Sequence, residues 1–275
     1  MDTIIDTHKG EYLSSSKAIT YKIFHNELIE KVSRLYITIH DSNEEFWGSG
    51  GLIEYKINDI CIHFIITAAH VIKDICNKTG NAIIKIPFDN LRQDNNNLAL
   101  TIDMLSLPHI IDTMNDIALI QISSENFTNT GYKFFPLDDK IKYNITENMN
   151  VLIFGIPWNR IKCSYRKNRD MQTQQLVVNG FQFPTSITGK KNNSIFLSFP
   201  NDVIIYKENS VIKGKNIDPS GLSGSIVWSY ESINAYPVGI IVEQNQQKIR
   251  CVNMEIIMNL IKKEFAKECN KGYLQ

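Results

Sequence analysis

Short, β-branched apolar segments separated by turn signals run through most of this chain and limit what it can fold into. Each segment spans only a few residues, and little helical periodicity lies between them. Strands at this spacing favour a β-sandwich or β-barrel over a parallel α/β sheet. The predicted strands are Arg34–His40, Phe46–Tyr55, Ile60–Ile66, Ala82–Pro87, Leu98–Leu105, Ile117–Ile122, Val151–Ile156, Gln174–Phe181, Ser194–Phe199, Val203–Tyr206, Ser225–Trp228, Tyr236–Val242 and Lys248–Val252.

The two ends of the chain depart from this strand pattern. Ile257, Ile261 and Phe265 recur at helical spacing, which predicts an amphipathic C-terminal helix packed on the β domain. A helical pattern that begins at Asn26 predicts a short helix within a loosely packed N-terminal extension.

Charge and hydropathy exclude two classes of protein. The chain has 29 Lys+Arg and 29 Asp+Glu, so its formal net charge is zero, which argues against a strongly basic nucleic-acid-binding protein. The longest nearly unbroken apolar run, from Ile62 to Ile72, contains two histidines. A bilayer-spanning helix needs about 20 apolar residues, so we expect no membrane span.

The spacing of the cysteines and the composition of the N-terminus indicate the cellular compartment of the protein. The five cysteines are widely spread, and no two of them have CxxC spacing. This argues against a disulfide framework and against a cysteine-rich zinc site. The first twenty residues mix charged and polar side chains and contain no long apolar leader. We therefore expect a cytoplasmic protein with reduced thiols, no metal and no other cofactor.

Three short segments carry residue types suited to nucleophilic catalysis. Thr67–His70 ends a strand in small residues, so an imidazole can emerge at a turn without crowding. Asp116 stands directly before an apolar strand, where its oxygens need donors such as an imidazole N–H. Ser223 lies between glycines in the loop Gly221–Ser225, which leads into another apolar strand.

These residue types together supply each part of a serine acyl-transfer site. A serine hydroxyl such as that of Ser223 needs a base, and histidine titrates near neutral pH, which suits His70 to that task. A carboxylate on the far ring nitrogen, here Asp116, fixes the tautomer and stabilises the imidazolium. Gly221 permits a backbone conformation that aims its own N–H and that of Ser223 into an oxyanion hole.

Other interpretations of neighbouring residues are weaker. Asp103 and Asp112 are rival carboxylate partners for the histidine, but neither leads directly into an apolar strand. Cys61 and His63 share one face of a predicted strand and suggest a metal site, yet no fourth ligand stands at a plausible spacing. Core packing explains both side chains better.

The three segments resemble the motifs of the chymotrypsin/trypsin-like serine peptidase family. Thr67–His70 matches its histidine motif, Asp116–Leu119 its aspartate motif and Gly221–Ser225 its Gly-x-Ser-Gly-Gly/Ser motif, in the same chain order. Trp47–Gly51 resembles the glycine-bearing strand before the histidine strand of bacterial members. The resemblance implies a serine endopeptidase, a hydrolase that cleaves protein or peptide substrates through a catalytic triad.

The resemblance also implies an architecture. The family's fold is all-β, with two six-stranded antiparallel β-barrels and the triad in the cleft between them. Mapped onto this chain, it implies an N-terminal extension at 1–33, barrels at 34–135 and 148–252, and the C-terminal helix at 253–268.

The chain departs from the secreted digestive members in two ways. Leu222 stands where those members carry the aspartate that receives a freed N-terminus, so activation by N-terminal processing is not expected. The cysteine pattern offers no disulfides, which fits an intracellular, bacterial-type member. Because broad proteolysis in the cytoplasm would be toxic, we expect narrow substrate choice or control by a regulatory protein partner.

The resemblance extends to the primary specificity pocket. Its base is set about six residues before the nucleophile, which corresponds to Ile217, with Asp218 beside it. The pocket wall corresponds to Val242, Glu243 and Gln244. The two acidic side chains predict a preference for Lys or Arg at P1, the residue before the cleaved bond.

Two alternative functions remain open at this point. The same double barrel can serve as a catalytically silent peptide-binding or sensor module if the oxyanion loop is collapsed. A basic cluster within 158–169 also includes aromatic side chains and can bind nucleic acid, although such clusters are more often solvated hairpins.

Overall fold

The computed structural model describes most of the chain from Leu35 to Cys269. The described residues are 35–43, 45–57, 60–87, 99–128, 132–137, 145–155, 166–167, 174–175, 181–198, 202–207, 210–215, 220–229, 236–244 and 248–269. Within them the chain forms eighteen strands and two α-helices. The predicted N-terminal helix and the basic cluster at 158–169, apart from 166–167, lie outside the described residues.

The first half of the chain forms one sheet of eight strands. Its strands are β1 (Tyr36–His40), β2 (Phe46–Ile57), β3 (Ile60–Ala68), β4 (Ile83–Pro87), β5 (Ala99–Asp103), β6 (His109–Asp112), β7 (Ile117–Ile122) and β8 (Phe135–Leu137). They pair in the order β5-β4-β1-β2-β3-β7-β6, and β8 pairs with β2 in parallel. The described pairings give this sheet the form of a half-barrel of eight strands, which takes the place of the first barrel in the predicted double-barrel architecture.

Helix α1 (Ala69–Thr79) follows β3 without an intervening loop. Its inner face buries Val71, Ile72 and Ile75, and it ends at Gly80, whose φ of 70° and N–H bond to the Cys76 carbonyl close the last turn. The sequence predicts a turn at this position. That prediction is wrong, because the chain passes directly from strand into helix.

The second half of the chain forms a closed barrel. It consists of β9 (Asn150–Gly155), β12 (Phe181–Lys191), β13 (Ser194–Ser198), β16 (Ile226–Ser229), β17 (Tyr236–Gln244) and β18 (Lys248–Asn253). Two further antiparallel pairs lie outside the barrel, β10 (Arg166–Lys167) with β11 (Gln174–Gln175), and β14 (Asp202–Lys207) with β15 (Ser210–Lys215). The predicted six-stranded second barrel is therefore confirmed.

The two halves pack closely against each other. Apolar side chains of the barrel, including Phe154 and Trp228, join the core of the first sheet. Gly51 in β2 marks one point of close approach, because a Cβ there would stand 2.2 Å from Ile226 Cδ1. The second barrel retains its own smaller core around Ile153 and Ile241.

Helix α2 (Met254–Cys269) ends the described chain. Met254, Ile257 and Ile261 are fully buried and pack into the core of the first half, although the helix follows the second barrel directly. The predicted all-β class with a C-terminal helix is thus confirmed. None of the helices within the described residues combines the length and the apolar character needed to cross a membrane.

Candidate active site

His70 and Asp116 are joined by two hydrogen bonds. The His70 ring nitrogen Nδ1 lies 2.7 Å from Asp116 Oδ2, and the His70 backbone N–H donates to Asp116 Oδ1 over 2.8 Å. Because a carboxylate can only accept, Nδ1 carries the ring proton. The His70 side chain remains 39 % exposed, and its other ring nitrogen, Nε2, makes no hydrogen bond within the described residues.

The backbone around Asp116 supports this pair. Asp116 ends the tight turn before β7 with a φ of 59°, a left-handed conformation that Asp tolerates better than most residues. Its carbonyl accepts from the Ala69 N–H over 3.0 Å at the start of α1. The turn before β7 is thus hydrogen-bonded to the start of α1, which holds the Asp116 carboxylate beside the His70 ring.

The surroundings of His70 favour its charged form. The hydrogen bond to Asp116 raises the pKa of His70 above the ordinary 6.5, although partial burial acts in the opposite direction. The negative charges of Asp116 and Asp74 raise this pKa further. A ring stabilised as imidazolium is suited to accept a proton during a reaction and hold it briefly.

Ser223 lies in a tight loop between two glycines with left-handed backbones. Gly221 has a φ of 93° and Gly224 a φ of 88°, and Ser223 itself is only 6 % exposed. The loop is held from within by the Ser225 N–H, which donates to the Leu222 carbonyl, and from the barrel by the Gly224 N–H, which donates to the Ile241 carbonyl.

The serine loop packs on the strand that precedes the histidine helix. The Ser49 N–H in β2 donates to the Ser223 carbonyl over 2.8 Å. A Cβ built on Gly48 would stand 3.1 Å from that carbonyl oxygen and 2.7 Å from a methyl of Val71, the residue after His70. The fold therefore brings the Ser223 segment beside the His70 segment.

The Ser223 hydroxyl and the His70 ring are not hydrogen-bonded to each other. Among the described residues, His70 bonds to Asp116 alone through its ring, and the Ser223 hydroxyl has no hydrogen bond. Of the three predicted catalytic side chains, the structure therefore joins two and brings the third into the neighbourhood.

The backbone N–H groups of Gly221 and Ser223 form no hydrogen bond to any other described residue. Both residues are buried. Buried N–H groups without a partner are rare in proteins, because each loses its hydration without compensation. The sequence predicts these two N–H groups as an oxyanion hole, and no bond within the described residues occupies them.

The predicted pocket residues are only partly described. Ile217 and Asp218 lie outside the described residues. Val242 is buried, and Gln244 has a buried Oε1 with no partner in the described part of the chain. Glu243 accepts a hydrogen bond of 2.7 Å from Arg250 Nε, so its negative charge already faces a cation. That ion pair weakens the contribution of Glu243 to a basic P1 preference.

The rival residues have other roles. Asp103 accepts from the Leu105 N–H, and Asp112 accepts from Asn115 and Met114 within its own turn. The burial cost of Asp112 is outweighed by these bonds and by the charge of Lys263, so its pKa is lowered. Neither carboxylate bonds to the histidine.

The suspected metal site is also explained by ordinary contacts. The His63 ring nitrogen Nε2 lies 3.0 Å from Glu54 Oε2, and its ring packs against Phe134. Cys61 is an exposed free thiol. The described residues contain no cluster of three or more His, Cys, Asp or Glu side chains arranged to hold a metal ion.

Sequence reasoning missed Ser49 and Tyr36 as residues of this site. The Ser49 hydroxyl donates to the Gly221 carbonyl over 2.8 Å and contacts the Tyr36 hydroxyl at 3.0 Å. A serine between glycines in β2 was the available signal, but its partner loop lies 172 residues further along the chain.

No protein-family model matches the chain, and no curated protein matches it. Among solved structures, it is similar to the serine endoprotease from Yersinia pestis, with 14 % sequence identity and a TM-score of 0.49. The match covers 87 % of this chain and 65 % of that protein's chain.

Proposed function

We propose that this chain is a trypsin-like serine endopeptidase in which Ser223 is the nucleophile and His70 the general base. The observation that carries the proposal is the double hydrogen bond between His70 and Asp116, in a His70 side chain that remains 39 % exposed. A carboxylate bound to Nδ1 in this way leaves the lone pair of Nε2 free to take a proton.

The proposed reaction proceeds in two steps, acylation of Ser223 and hydrolysis of the acyl-enzyme. Nε2 of His70 removes the Ser223 hydroxyl proton as Oγ bonds to the substrate carbonyl carbon, and the imidazolium then gives that proton to the leaving amine. Water, deprotonated by the same ring, next attacks the acyl-enzyme, and release of the acid restores the Ser223 hydroxyl. In both steps, the Gly221 and Ser223 N–H groups stabilise the negative charge that forms on the carbonyl oxygen.

The absence of a hydrogen bond between Ser223 and His70 is compatible with this proposal. Catalytic hydrogen bonds are often long or misaligned in free enzymes and tighten when substrate binds. The hydrogen bond from Ser49 to Ser223 and the close approach of Gly48 to the Ser223 carbonyl and to Val71 keep the serine and histidine segments side by side.

We further propose narrow substrate choice or control by a regulatory protein, a cytoplasmic location, and a P1 preference for Lys or Arg. The charge argument for that preference now depends mainly on Asp218, because Glu243 is paired with Arg250. No zymogen step is proposed, because Leu222 is completely buried in the barrel core and offers no carboxylate for a new N-terminus.

A fluorophosphonate probe, which reacts covalently with activated serines, tests the enzymatic proposal. We expect labelling of the wild-type protein at Ser223 and none in Ser223→Ala. Ser225→Ala is the matched control, since this nearby buried hydroxyl has no hydrogen-bond partner in the described residues. Labelling that persists in Ser223→Ala, or a wild-type protein that is never labelled, would contradict the proposal.

The alternative is a catalytically silent peptide-binding or sensor module, and the missing Ser223–His70 hydrogen bond is the observation that favours it. This alternative predicts saturable peptide binding that is identical in wild type and Ser223→Ala, with no labelling and no cleavage. A peptide library screened in parallel for binding and for cleavage distinguishes the two functions.

A further inference from the structure

Ser49 forms two hydrogen bonds to the serine loop, one to the carbonyl of Gly221 and one to the carbonyl of Ser223. The Ser49 hydroxyl donates to the Gly221 carbonyl over 2.8 Å, and the Ser49 N–H donates to the Ser223 carbonyl over 2.8 Å. Ser49 is fully buried in β2, so water does not compete for either bond. One residue of the first sheet thus fixes two peptide groups of the loop in the second half.

The direction of the hydrogen bonds around Ser49 is determined by chemistry. The Gly221 carbonyl can only accept, so the Ser49 hydroxyl proton is committed to it. The Tyr36 hydroxyl, 3.0 Å from Ser49 Oγ, must therefore donate. This gives a chain from Tyr36 through Ser49 to Gly221, in which each bond polarises and strengthens the next.

The two carbonyls that Ser49 holds flank the Ser223 N–H, which the proposed mechanism uses as an oxyanion donor. The Ser223 N–H belongs to the peptide unit between the Gly221 and Ser223 carbonyls, both of which Ser49 holds. Gly221 has a left-handed backbone and no Cβ, so its peptide groups have little intrinsic preference for one orientation. Without the Ser49 hydroxyl, the Gly221 carbonyl would be buried with no partner in this position and would tend to rotate.

We infer that Ser49 is a positioning residue, which orients the oxyanion-binding N–H group of Ser223 by holding the Gly221 and Ser223 carbonyls on either side of it, with Tyr36 as its support. Ser49 is itself anchored, because the Thr67 hydroxyl donates to the Ser49 carbonyl over 2.7 Å. This inference rests on the proposed peptidase function and adds a residue whose contribution is made at the transition state.

Inactivation kinetics with the fluorophosphonate probe test this role, because its attack builds charge on the phosphonyl oxygen. We expect Ser49→Ala to lower the maximal inactivation rate, kinact, about ten- to a hundredfold, less than loss of a direct oxyanion donor. The half-saturating probe concentration, KI, should change by no more than about twofold, since ground-state binding is unaffected. Tyr36→Phe should lower kinact about two- to fivefold, because it removes the supporting bond and leaves the Ser49–Gly221 bond in place.

Two controls separate positioning from general destabilisation. Ile84→Val shortens a fully buried side chain in the first sheet, and it should lower the melting temperature without changing kinact. The pH midpoint of inactivation should be the same in Ser49→Ala and wild type, because the His70–Asp116 pair is not touched.

The outcomes distinguish this inference from the function on which it rests. A wild-type protein that is not labelled overturns both. A labelled wild type with an unchanged kinact in Ser49→Ala overturns the positioning role alone, as does an equal fall of kinact in Ile84→Val.

Discussion

Gly224 lies directly against the carbonyl group of Ser49. A Cβ at Gly224 would stand 1.9 Å from that oxygen and 2.3 Å from the Thr67 hydroxyl, while the backbone already has a φ of 88°. The residue after the proposed nucleophile is therefore a point of close approach between the loop of the second half and the strand of the first half. No side chain can be accommodated there unless the two halves separate or the loop moves.

Substitution of Gly224 should therefore lower the free energy of unfolding by more than backbone strain alone would. Gly80 is the matched control, because its φ is 70° and nothing lies within 4 Å of its potential Cβ. We expect Gly80→Ala to lower the free energy of unfolding by about 1–2 kcal/mol through backbone strain. Gly224→Ala should lower it by about 2 kcal/mol more through overpacking. Urea denaturation measures both, and equal losses would contradict the close contact.

The raised pKa of His70 predicts how the reaction depends on pH. The proposed base acts only when its ring is neutral, so a raised pKa moves the rise in labelling rate to higher pH. We expect the half-maximal rate of fluorophosphonate labelling at a pH above 6.5, the ordinary value for histidine. A midpoint below 6.5 would mean that burial of His70 outweighs its bond to Asp116.

Replacement of Asp116 by Asn should alter both the midpoint and the maximal rate. Loss of the carboxylate charge should lower the His70 pKa, and loss of tautomer control should reduce the maximal labelling rate about 10³- to 10⁴-fold. The control is Asp112→Asn, which changes the same residue type at the start of the same β6–β7 turn without touching the His70 ring. Equal effects of the two variants would show that Asp116 has no special role.

The same pair predicts a pH-dependent contribution to stability. Since Asp116 raises the folded-state pKa of His70, the stabilisation is fully present below about pH 6.5 and is lost as the pH rises through the raised value. We expect the difference in melting temperature between wild type and Asp116→Asn to be larger at pH 6 than at pH 9. The partial exposure of the ring keeps this difference modest. A difference that grows with pH would reverse the assigned sign.

Continuous burial makes a strand predictable from the sequence. Ile117–Ile122 agrees at both ends, because five of its six residues are buried and the apolar run has no competing periodicity. The edge strand His109–Asp112 was missed, since it is only partly buried and carries no alternating pattern. Ser210–Lys215 was also missed, and its partner strand Asp202–Lys207 was predicted only in part.

Helix α1 was missed for a different physical reason. Its N-cap is Ala68, whose side chain makes no capping hydrogen bond, so the usual Ser, Thr, Asp or Asn start signal is absent. The β-branched Val71 and Ile72 continue the composition of the preceding strand. Tertiary contacts, in particular the Ala69 N–H bond to the Asp116 carbonyl, supply what the local sequence lacks.

For the candidate site, the sequence predicts the motif residues but not the contacts between the two halves of the chain. The pairing of His70 with Asp116 follows from segment order and residue type, and the structure contains that pair. The contact of Ser49 with Gly221 depends on how the two halves pack across 172 residues, which periodicity and motif spacing do not encode.

Leu222 gives a prediction about stability and activation. Its side chain is completely buried among apolar residues of the second barrel, and a methyl of Leu222 would lie 2.6 Å from a Cβ on Gly155. We expect Leu222→Asp to lower the free energy of unfolding by about 3–5 kcal/mol, because the new carboxylate would be buried without a partner. Leu222→Met should cost less than about 1.5 kcal/mol. A well-tolerated Leu222→Asp variant would indicate a cationic partner for this position after all.

The two acidic residues of the predicted pocket should contribute unequally to substrate choice. Glu243 is 65 % exposed and paired with Arg250, so Glu243→Gln should change the ratio of cleavage after Lys or Arg to cleavage after neutral residues by less than about threefold. Asp218→Asn should lower that ratio about tenfold or more if its carboxylate faces the P1 side chain. Fluorogenic peptides that differ only at P1 measure both ratios. A larger effect of Glu243→Gln than of Asp218→Asn would show that Glu243 supplies the negative charge of the pocket. It would contradict the inference that pairing with Arg250 weakens the attraction of Glu243 for a basic P1 side chain.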